Sequence, residues 1–143
     1  MNRLIIDASV GLKWWVPEIH SEAALAFLES RCQLIAPDLM PVELGNILWK
    51  KALKGEITRE RGREILLGFG KTGLSIESSA PLKDLAWTIA TYLKRSFYDS
   101  IYLALAMERK AVLVTGDLRL YRALQGDPLA RYIRWIEDGV PNG

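Results

Sequence analysis

The stretch AVLVTGDLRLYRAL, residues 111–124, contains the clearest β-strand of the chain, together with the acid and the helix that follow it. Its first residues form a short apolar run rich in valine, which is typical of a buried strand. LRLYRAL, at 118–124, predicts a short helix, and Asp117 stands just past the strand. Near the start of the chain RLII, at 3–6, predicts another strand, which ends at Asp7 before a second short helix.

The rest of the chain alternates short apolar runs with segments of helical spacing. Further strands are predicted at 33–36, 74–77 and 132–136, and further helices at 19–31, at 39–54, from the N-cap Thr58 to about Gly68, after Pro81 and at 98–109. Short strands separated by helices imply right-handed crossovers and a parallel sheet that is covered on both faces. We therefore expect an α/β fold, a three-layer sandwich around five strands. No linker or repeat interrupts the pattern, so residues 1–143 form a single domain.

The composition is that of a globular protein without a membrane segment. Of the 143 residues, 50% are hydrophobic and 25% are charged, a balance typical of soluble domains. No apolar stretch reaches the ~18 to 20 residues that cross a bilayer, and the apolar run at the N-terminus is too short for a signal peptide. These features predict a cytoplasmic protein. The net charge of +2 is compatible with a nucleic-acid partner but is weak evidence for one.

Cysteine and histidine offer little chemistry in this chain. Cys32 is the only cysteine, so no internal disulfide forms, and one thiol cannot build a zinc site. His20 is the only histidine, and it lies in the polar stretch PEIHSE, where we expect a solvated side chain near a helix start rather than part of a catalytic triad. Carboxylates, hydroxyls and amines remain as the groups available for catalysis.

The string GFGKTG, residues 68–73, matches the spacing G-x-G-x-x-G of dinucleotide-binding loops. In such a loop the glycines follow a strand and open a helix, so that the pyrophosphate meets the helix N-terminus. Here they end a predicted helix and precede a predicted strand. We therefore interpret these glycines as a helix stop and a turn, not as a nucleotide site.

Three aspartates stand at the boundaries of predicted elements. Asp7 and Asp117 follow strands, and Asp99 precedes the apolar run SIYLALA. Each of them alone is explained equally well by helix capping, or for Asp99 by the favourable position of an acid in a first helical turn. The single positions therefore leave a structural and a functional interpretation open.

Glu43 is harder to explain by capping. In the helix PDLMPVELGNILWKK it lies three residues after Met40 and four before Ile47, so it shares or borders the apolar stripe of that helix. A carboxylate placed there loses hydration that is costly to replace unless a cation compensates its charge. No lysine or arginine shares the stripe before Lys50. We therefore expect a bound metal ion or a distant partner.

The predicted topology provides a place where these acids meet. In doubly wound sheets the ligand crevice lies outside the carboxyl ends of the strands, at the switch in strand order. Asp7 and Asp117 share one pocket if the first and fourth strands are neighbours there. Carboxylates so close together would take up protons unless a divalent cation neutralised them. Ligands that are all oxygen favour Mg²⁺ or Mn²⁺ over zinc.

Four blocks of sequence carry these acids: DASVGLKWWVPE, PVELGNIL, FYDSIYLALA and VLVTGDLRLY. In order and spacing they resemble the PIN-domain nucleases, and particularly the VapC toxins of bacterial and archaeal toxin–antitoxin (VapBC) pairs. The resemblance extends from residue 4 to about residue 122. One block alone would be weak support, but the set of four is specific.

The resemblance implies a five-stranded parallel sheet in the order 3-2-1-4-5, which places the first and fourth strands side by side. It implies a cluster of acids that bind Mg²⁺ or Mn²⁺ and catalyse the cleavage of RNA: Asp7, Glu43, Asp99 and Asp117. Three further positions would support this cluster: Ser9, Asn46 and Thr115. The implied activity is that of a metal-dependent endoribonuclease. The implied partners are an RNA substrate, a small antitoxin protein and a second copy of the chain in a homodimer.

Two alternatives remain open. One is a PIN nuclease of RNA processing or DNA-flap cleavage, although such proteins usually carry extra arches or domains. The other is a receiver-like or metal-binding α/β module without nuclease activity. A receiver needs a lysine at the end of its last strand, and YIRWI, at 132–136, contains none.

Three tryptophans lie close to the acids along the chain. Trp14 and Trp15 follow Asp7, and Trp49 is on the helix of Glu43. Neighbouring residues of a helix are about 100° apart, so Trp14 and Trp15 cannot both point inward from one helix. We expect one of them at the surface beside the pocket, where an antitoxin segment would bury it. Trp49 is at least as readily explained as a core residue.

Overall fold

The computed structural model describes residues 2–142, which fold into five strands and seven α-helices. The strands are β1 (Arg3–Ile6), β2 (Gln33–Pro37), β3 (Ser75–Glu77), β4 (Val112–Thr115) and β5 (Ile133–Trp135). The helices are α1 (Ala8–Leu12), α2 (Ser21–Leu28), α3 (Leu39–Leu53), α4 (Arg59–Gly68), α5 (Lys83–Leu93), α6 (Phe97–Arg109) and α7 (Leu118–Leu124). Short 3₁₀ turns lie at Phe69–Lys71, Ala80–Leu82, Pro128–Tyr132 and Ile136–Asp138. Each predicted strand is present, and most boundaries agree within two residues.

All strands of the sheet are parallel, in the order β3-β2-β1-β4-β5. β1 is the central strand: Leu4 pairs with Leu34 of β2 on one side and with Val112 of β4 on the other. The chain moves outward from β1 to β3, then crosses back to β4 and continues to β5. The switch in strand order therefore lies between β1 and β4, as the resemblance implied.

Side chains from both faces of the sheet are buried, which confirms the three-layer sandwich. On one face Leu4 and Ile6 of β1 pack with Val10 and with Phe27 of α2. On the other face Ile5 belongs to the larger cluster formed mainly by α3, α5 and α6. Successive residues of a strand point to opposite faces, so one short apolar strand serves both layers.

Helix α6 is the most deeply buried helix. Every residue from Ser100 to Ala106 is buried, as the apolar sequence SIYLALA predicts. Its alanines bring the helix backbone close to its neighbours, and it packs along α5 and against β1, β2 and β4. Within residues 2–142, no helix has both the length and the apolar character that crossing a bilayer requires.

Helix α2 is shorter than predicted at both ends, and at its N-terminus the backbone of His20 sets the limit. The sequence suggested a helix over 19–31, whereas α2 spans Ser21–Leu28. His20 has a left-handed backbone with φ of 69°, a conformation that cannot continue a helix. Its Nδ1 lies 2.5 Å from Oε2 of Glu137, and its ring packs edge-on against Trp135. His20 thus stands at the start of the helix, as predicted, but its side chain is only 21% exposed, so the expectation that it is solvated is wrong.

Trp14 and Trp15 are both partly buried, contrary to the expectation that one of them would be at the surface. α1 ends at Leu12, so the two residues lie in a turn, and the angular argument for a helix does not apply. The Trp14 ring stacks on Phe69, with centroids 5.8 Å apart, and its Nε1 donates to the carbonyl of Ala24. Trp49, in contrast, is 56% exposed.

The glycines of GFGKTG form the helix stop and turn that the sequence predicts. α4 ends at Gly68 and is followed by the 3₁₀ turn Phe69–Lys71. Gly73 has φ of 80° just before β3, a conformation that favours glycine. These residues precede a strand and open no α-helix, so they lack the context of a dinucleotide loop.

We predict that Gly11→Ala destabilises the protein. A Cβ on Gly11 would lie 2.7 Å from Cζ of Phe69, a ring that is 4% exposed and stacked on Trp14. Overpacking of this kind costs roughly 1 to 3 kcal/mol of unfolding free energy, measurable by urea denaturation. Gly45→Ala in α3 is the matched control, because the nearest atom to its Cβ would be 3.7 Å away. It should gain up to about 1 kcal/mol from helix propensity. A Gly11→Ala variant as stable as the wild type would refute the close contact.

Candidate active site

A pocket of about 190 Å³ lies beyond the carboxyl ends of β1 and β4, at the switch in strand order. Its lining includes the four predicted acids with Ser9 and Tyr102: Asp7, Ser9, Glu43, Asp99, Tyr102 and Asp117. The acids come from four places that are far apart in sequence: the end of β1, α3, the first turn of α6 and the end of β4. The parallel topology brings them together, as the sequence argument required.

Asp7 is both the N-cap of α1 and part of the pocket. Its Oδ1 accepts hydrogen bonds from the Val10 N–H at 2.9 Å and from the Ser9 hydroxyl at 2.8 Å. Its Oδ2 accepts no hydrogen bond from the part of the chain that the structure describes. The capping and the functional interpretations are therefore compatible, because each uses a different oxygen. Ser9 holds the carboxylate, as the resemblance implied.

Asp117 repeats this arrangement at the end of β4. Its Oδ1 accepts from the N–H groups of Arg119 at 3.0 Å and Leu120 at 3.2 Å, and so caps α7. The fully buried Thr115 accepts from the Asp117 N–H through Oγ1 at 3.0 Å. Thr115 thus fixes the backbone of Asp117, whereas Ser9 binds the carboxylate of Asp7 directly.

Asp99 is not a helix cap. The N-cap of α6 is Ser96, whose Oγ accepts from the Asp99 N–H at 3.1 Å. The Asp99 carboxylate lies in the first helical turn and is 3.6 Å from the guanidinium of Arg95. Arg95 is the one cation that lies within 4 Å of any of the four carboxylates in residues 2–142.

Tyr102 is the residue of this site that the sequence analysis missed. It is 4% exposed, and its hydroxyl donates to Oε1 of Glu43 at 2.5 Å. The sequence left open a metal ion or a distant partner for Glu43, and Tyr102 of α6 is such a distant partner, with a neutral hydroxyl in place of a cation. The signal was present in the sequence, since Tyr102 follows Asp99 by three residues and so shares its helix face.

Asn46 does not join the site. It lies on α3 one turn after Glu43, but it is exposed and does not line the pocket. The supporting role assigned to it therefore finds no contact in this structure.

Burial raises the pKa of three of the four acids. It raises the pKa of Asp7 from 3.8 to about 6, with a further increase from the charges of Glu43 and Asp99 and opposition from the Val10 N–H and Ser9. Burial likewise raises the pKa of Glu43, although the Tyr102 bond lowers it. Burial raises the pKa of Asp99, despite the opposing charge of Arg95. The pocket therefore holds more negative charge than its surroundings compensate.

This donor set fits a hard divalent cation. The groups are oxygen only, partly desolvated and short of positive charge, which is the environment that Mg²⁺ and Mn²⁺ prefer. Within residues 2–142, the structure contains no group of three Asp, Glu, His or Cys side chains close enough together to bind one metal ion. The four carboxylates line one pocket, but they are not close enough to one another to form a complete metal site.

We predict that the stability of the metal-free protein falls with rising pH because of Asp7. The folded protein binds this proton more tightly than the unfolded chain, so the raised pKa removes stability between pH 3.8 and about 6. Asp7→Asn keeps a capping side chain and should gain roughly 2 to 3 kcal/mol relative to wild type between about pH 4 and pH 7. Urea denaturation in EDTA measures this difference.

Asp84→Asn, on the exposed side of α5, controls for the loss of one charge outside the pocket. Its stability should follow the wild-type pH profile. If the unfolding free energies of Asp7→Asn and wild type changed with pH in the same way, that result would contradict an excess of negative charge in the pocket.

Known proteins share this architecture. The family model described as PIN domain matches residues 4–124. Ribonuclease VapC3 of Pyrobaculum aerophilum is 30% identical over 120 residues, which are 82% of this chain and 92% of that protein. A crystal structure of a protein from Pyrobaculum aerophilum, 23% identical, matches with a TM-score of 0.71 over 96% of this chain and 85% of that one.

A second solved structure has the same fold at lower identity. VapBC2 from Rickettsia felis, bound to a DNA fragment from its promoter, matches with a TM-score of 0.65 at 14% identity, over 92% of this chain and 97% of that one. The matched span of the family model contains all four acids of the pocket, the strands β2 to β4 and all of β1 except Arg3. On these grounds the chain belongs to the PIN-domain family.

Proposed function

We propose that this protein is an endoribonuclease of the VapC type, the toxin of a toxin–antitoxin pair, and that it cuts RNA phosphodiesters at the pocket between β1 and β4. The observation that carries this proposal is the meeting of four sequence-distant acids, Asp7, Glu43, Asp99 and Asp117, in one pocket. It is supported by the relative that is 30% identical over most of both chains and is named a ribonuclease.

The proposed cofactor is Mg²⁺ or Mn²⁺. Asp7, through Oδ2, and Asp99 would hold it, with Asp117 and, through a bound water, Glu43 completing the set of oxygen groups. When bound, such a cation activates water for attack on phosphorus and stabilises the charge that develops on the phosphoryl and leaving oxygens.

The side chains around the acids position them for this reaction. Ser9 and the Val10 N–H hold Oδ1 of Asp7, so that Oδ2 faces the pocket. Tyr102 holds Oε1 of Glu43, and Oε2 of Glu43 then accepts the proton of the attacking water. A carboxylate whose pKa is raised by burial is a stronger base than an exposed one, which suits this role.

We predict that RNA cleavage requires a divalent cation and the first and third acids. EDTA should abolish cleavage of single-stranded RNA, and added Mg²⁺ or Mn²⁺ should restore it. Asp7→Asn and Asp99→Asn should each lower the rate by about 100-fold or more, as expected when a ligand of a catalytic metal is lost. Both variants should remain folded, because the substitution relieves repulsion.

Asp84→Asn again serves as the control and should cleave RNA like the wild type. Cleavage that persists in EDTA would contradict the metal requirement. A variant at Asp7 or Asp99 that unfolds instead would show that the residue is structural.

An exposed apolar face of α3 supports an antitoxin partner. Val42, Trp49 and Leu53 are 71%, 56% and 68% exposed, and their spacing places them on one side of the helix. The same helix carries Glu43, so a protein bound to this face would lie beside the acidic pocket. An arginine from that protein could then pair with the carboxylates in place of the metal. Exposed Trp87 on α5 and Tyr98 on α6 support the further proposal of a homodimer.

We predict that the product of the neighbouring gene binds this chain through the α3 face. Co-expression should yield a complex whose mass, measured by light scattering, also reports the number of copies. Val42→Ser with Trp49→Ser should abolish the complex and leave RNA cleavage unchanged, because burial of such side chains dominates interface energies. Ile19→Ser, at a position that is 74% exposed, is the control and should leave the complex intact.

A complex that survives the double substitution would place the partner on another surface. Harmless expression of the folded chain alone, with no complex formed, would contradict the toxin proposal and leave the nuclease proposal standing.

A further inference from the structure

A second and larger cavity lies at the opposite end of the sheet. It has a volume of about 530 Å³ and is formed where β1, β4 and β5 begin. The side chains of interest in its lining are four cations, an amide and a phenol: Arg3, Lys110, Arg131, Arg134, Asn2 and Tyr132. No acidic residue among those described lines it. We call it the basic cavity.

The positive charge of the basic cavity is not balanced by the described part of the chain. Among residues 2–142, no carboxylate lies within 4 Å of the charged groups of Arg3, Lys110, Arg131 or Arg134. Like charges that converge on one space repel one another, and an anion removes that repulsion. This cavity is thus the electrostatic opposite of the acidic pocket.

Three of the four cations are held in place by neutral groups. Arg134 donates from Nε to the carbonyl of Gly139 at 2.6 Å and from its terminal nitrogen to that of Asp138 at 2.9 Å. Arg3 donates to the carbonyl of Arg109 at 3.2 Å. Arg131 lies over the Tyr132 ring, 5.2 Å from its centroid. Carbonyls and rings orient a guanidinium without neutralising it, so its remaining N–H groups are available to an anion.

Helix stabilisation explains only part of this cluster. Lys110 follows the last turn of α6, and Arg3 binds a carbonyl of that turn, so both compensate the negative end of the helix dipole. Arg131 and Arg134 come from the 3₁₀ turn before β5 and from β5 itself. They do not contact the carbonyls that end α6. The dipole of α6 therefore does not account for these two arginines.

We propose that the basic cavity binds the terminal phosphate groups of a nucleotide, either a free nucleotide or the 5′-phosphorylated end of an RNA strand. Guanidinium forks match phosphate oxygens, and a space of this size accommodates a nucleotide. The four steps along the strand from Arg3 to Asp7 span about 13 Å, so this site is separate from the acidic pocket.

The proposal is tested by equilibrium binding of ADP and of short oligouridylates, measured by calorimetry in EDTA. Without a divalent ion the acidic pocket repels phosphate, so any site observed lies elsewhere. ADP, or the oligouridylate with a 5′-phosphate, should bind saturably, and inorganic pyrophosphate should compete. Adenosine and the oligouridylate with a 5′-hydroxyl should not bind. Preference for ADP identifies a free nucleotide as the ligand, and preference for the phosphorylated oligomer identifies an RNA end.

Lys110→Gln with Arg131→Gln should weaken this binding by at least about tenfold, as expected from the loss of charge-assisted hydrogen bonds. Neither side chain donates a hydrogen bond within residues 2–142, so the variant should fold, which circular dichroism verifies. Arg59→Gln with Lys83→Gln, at exposed positions outside the cavity, removes the same charge and should bind like the wild type.

Three results would each overturn the proposal: no binding of either phosphorylated ligand, equal binding of the 5′-hydroxyl oligomer, or binding unchanged in the Lys110/Arg131 variant. RNA cleavage at the acidic pocket is measured separately, so failure here leaves the nuclease proposal untouched.

Discussion

The pairing of β1 with β2 on one side and β4 on the other is the constraint on which this structure depends. It makes β1 the central strand and opens a crevice where neighbouring connections leave the sheet in opposite directions. Asp7 and Asp117 reach that crevice because they come just after two paired strands that end at nearly the same level: Ile6, the last residue of β1, lies opposite Val114, the residue before the end of β4. A shift of β1 by one residue would exchange its two faces and remove Asp7 from the pocket. The strand register that forms during folding therefore also brings the acids of the site together.

The buried carboxylates of the pocket repel one another and so lower the stability of the fold, which remains stable overall. The Asp7 carboxylate stabilises α1 as a cap through one oxygen while its burial beside other acids raises its pKa. Tyr102 eases the cost for Glu43 without supplying charge. Such compromises are expected at functional sites, where local stability is lost for the sake of chemistry. The rest of the domain, with apolar side chains buried on both faces of the sheet, supplies the stability that the pocket lacks.

The sequence predicted the architecture well because short apolar strands and helical spacing are local signals. It also placed Asp7 and Asp117 at the ends of strands, whereas the strand order that makes those strands neighbours came from the resemblance to the PIN-domain family. It failed where a side chain's surroundings depend on distant elements. His20 is oriented by Glu137 and Trp135, and Trp14 by Phe69, all contacts between residues far apart along the chain. Whether Asn46 faced the pocket depended on the rotation of α3, which an apolar stripe defines only approximately.

The two charged cavities lie at opposite ends of the central strands and carry opposite charge, although the net charge of the protein is only +2. Cations gather where the central strands begin, and carboxylates gather where they end. Close to the surface, a polyanion is therefore attracted to the cavity where the central strands begin and repelled by the metal-free pocket where they end. Counterions at physiological ionic strength confine this effect to within about 8 Å of the surface. The orientation in which a polyanion meets the protein therefore depends on salt concentration, although a net charge of only +2 suggests little dependence.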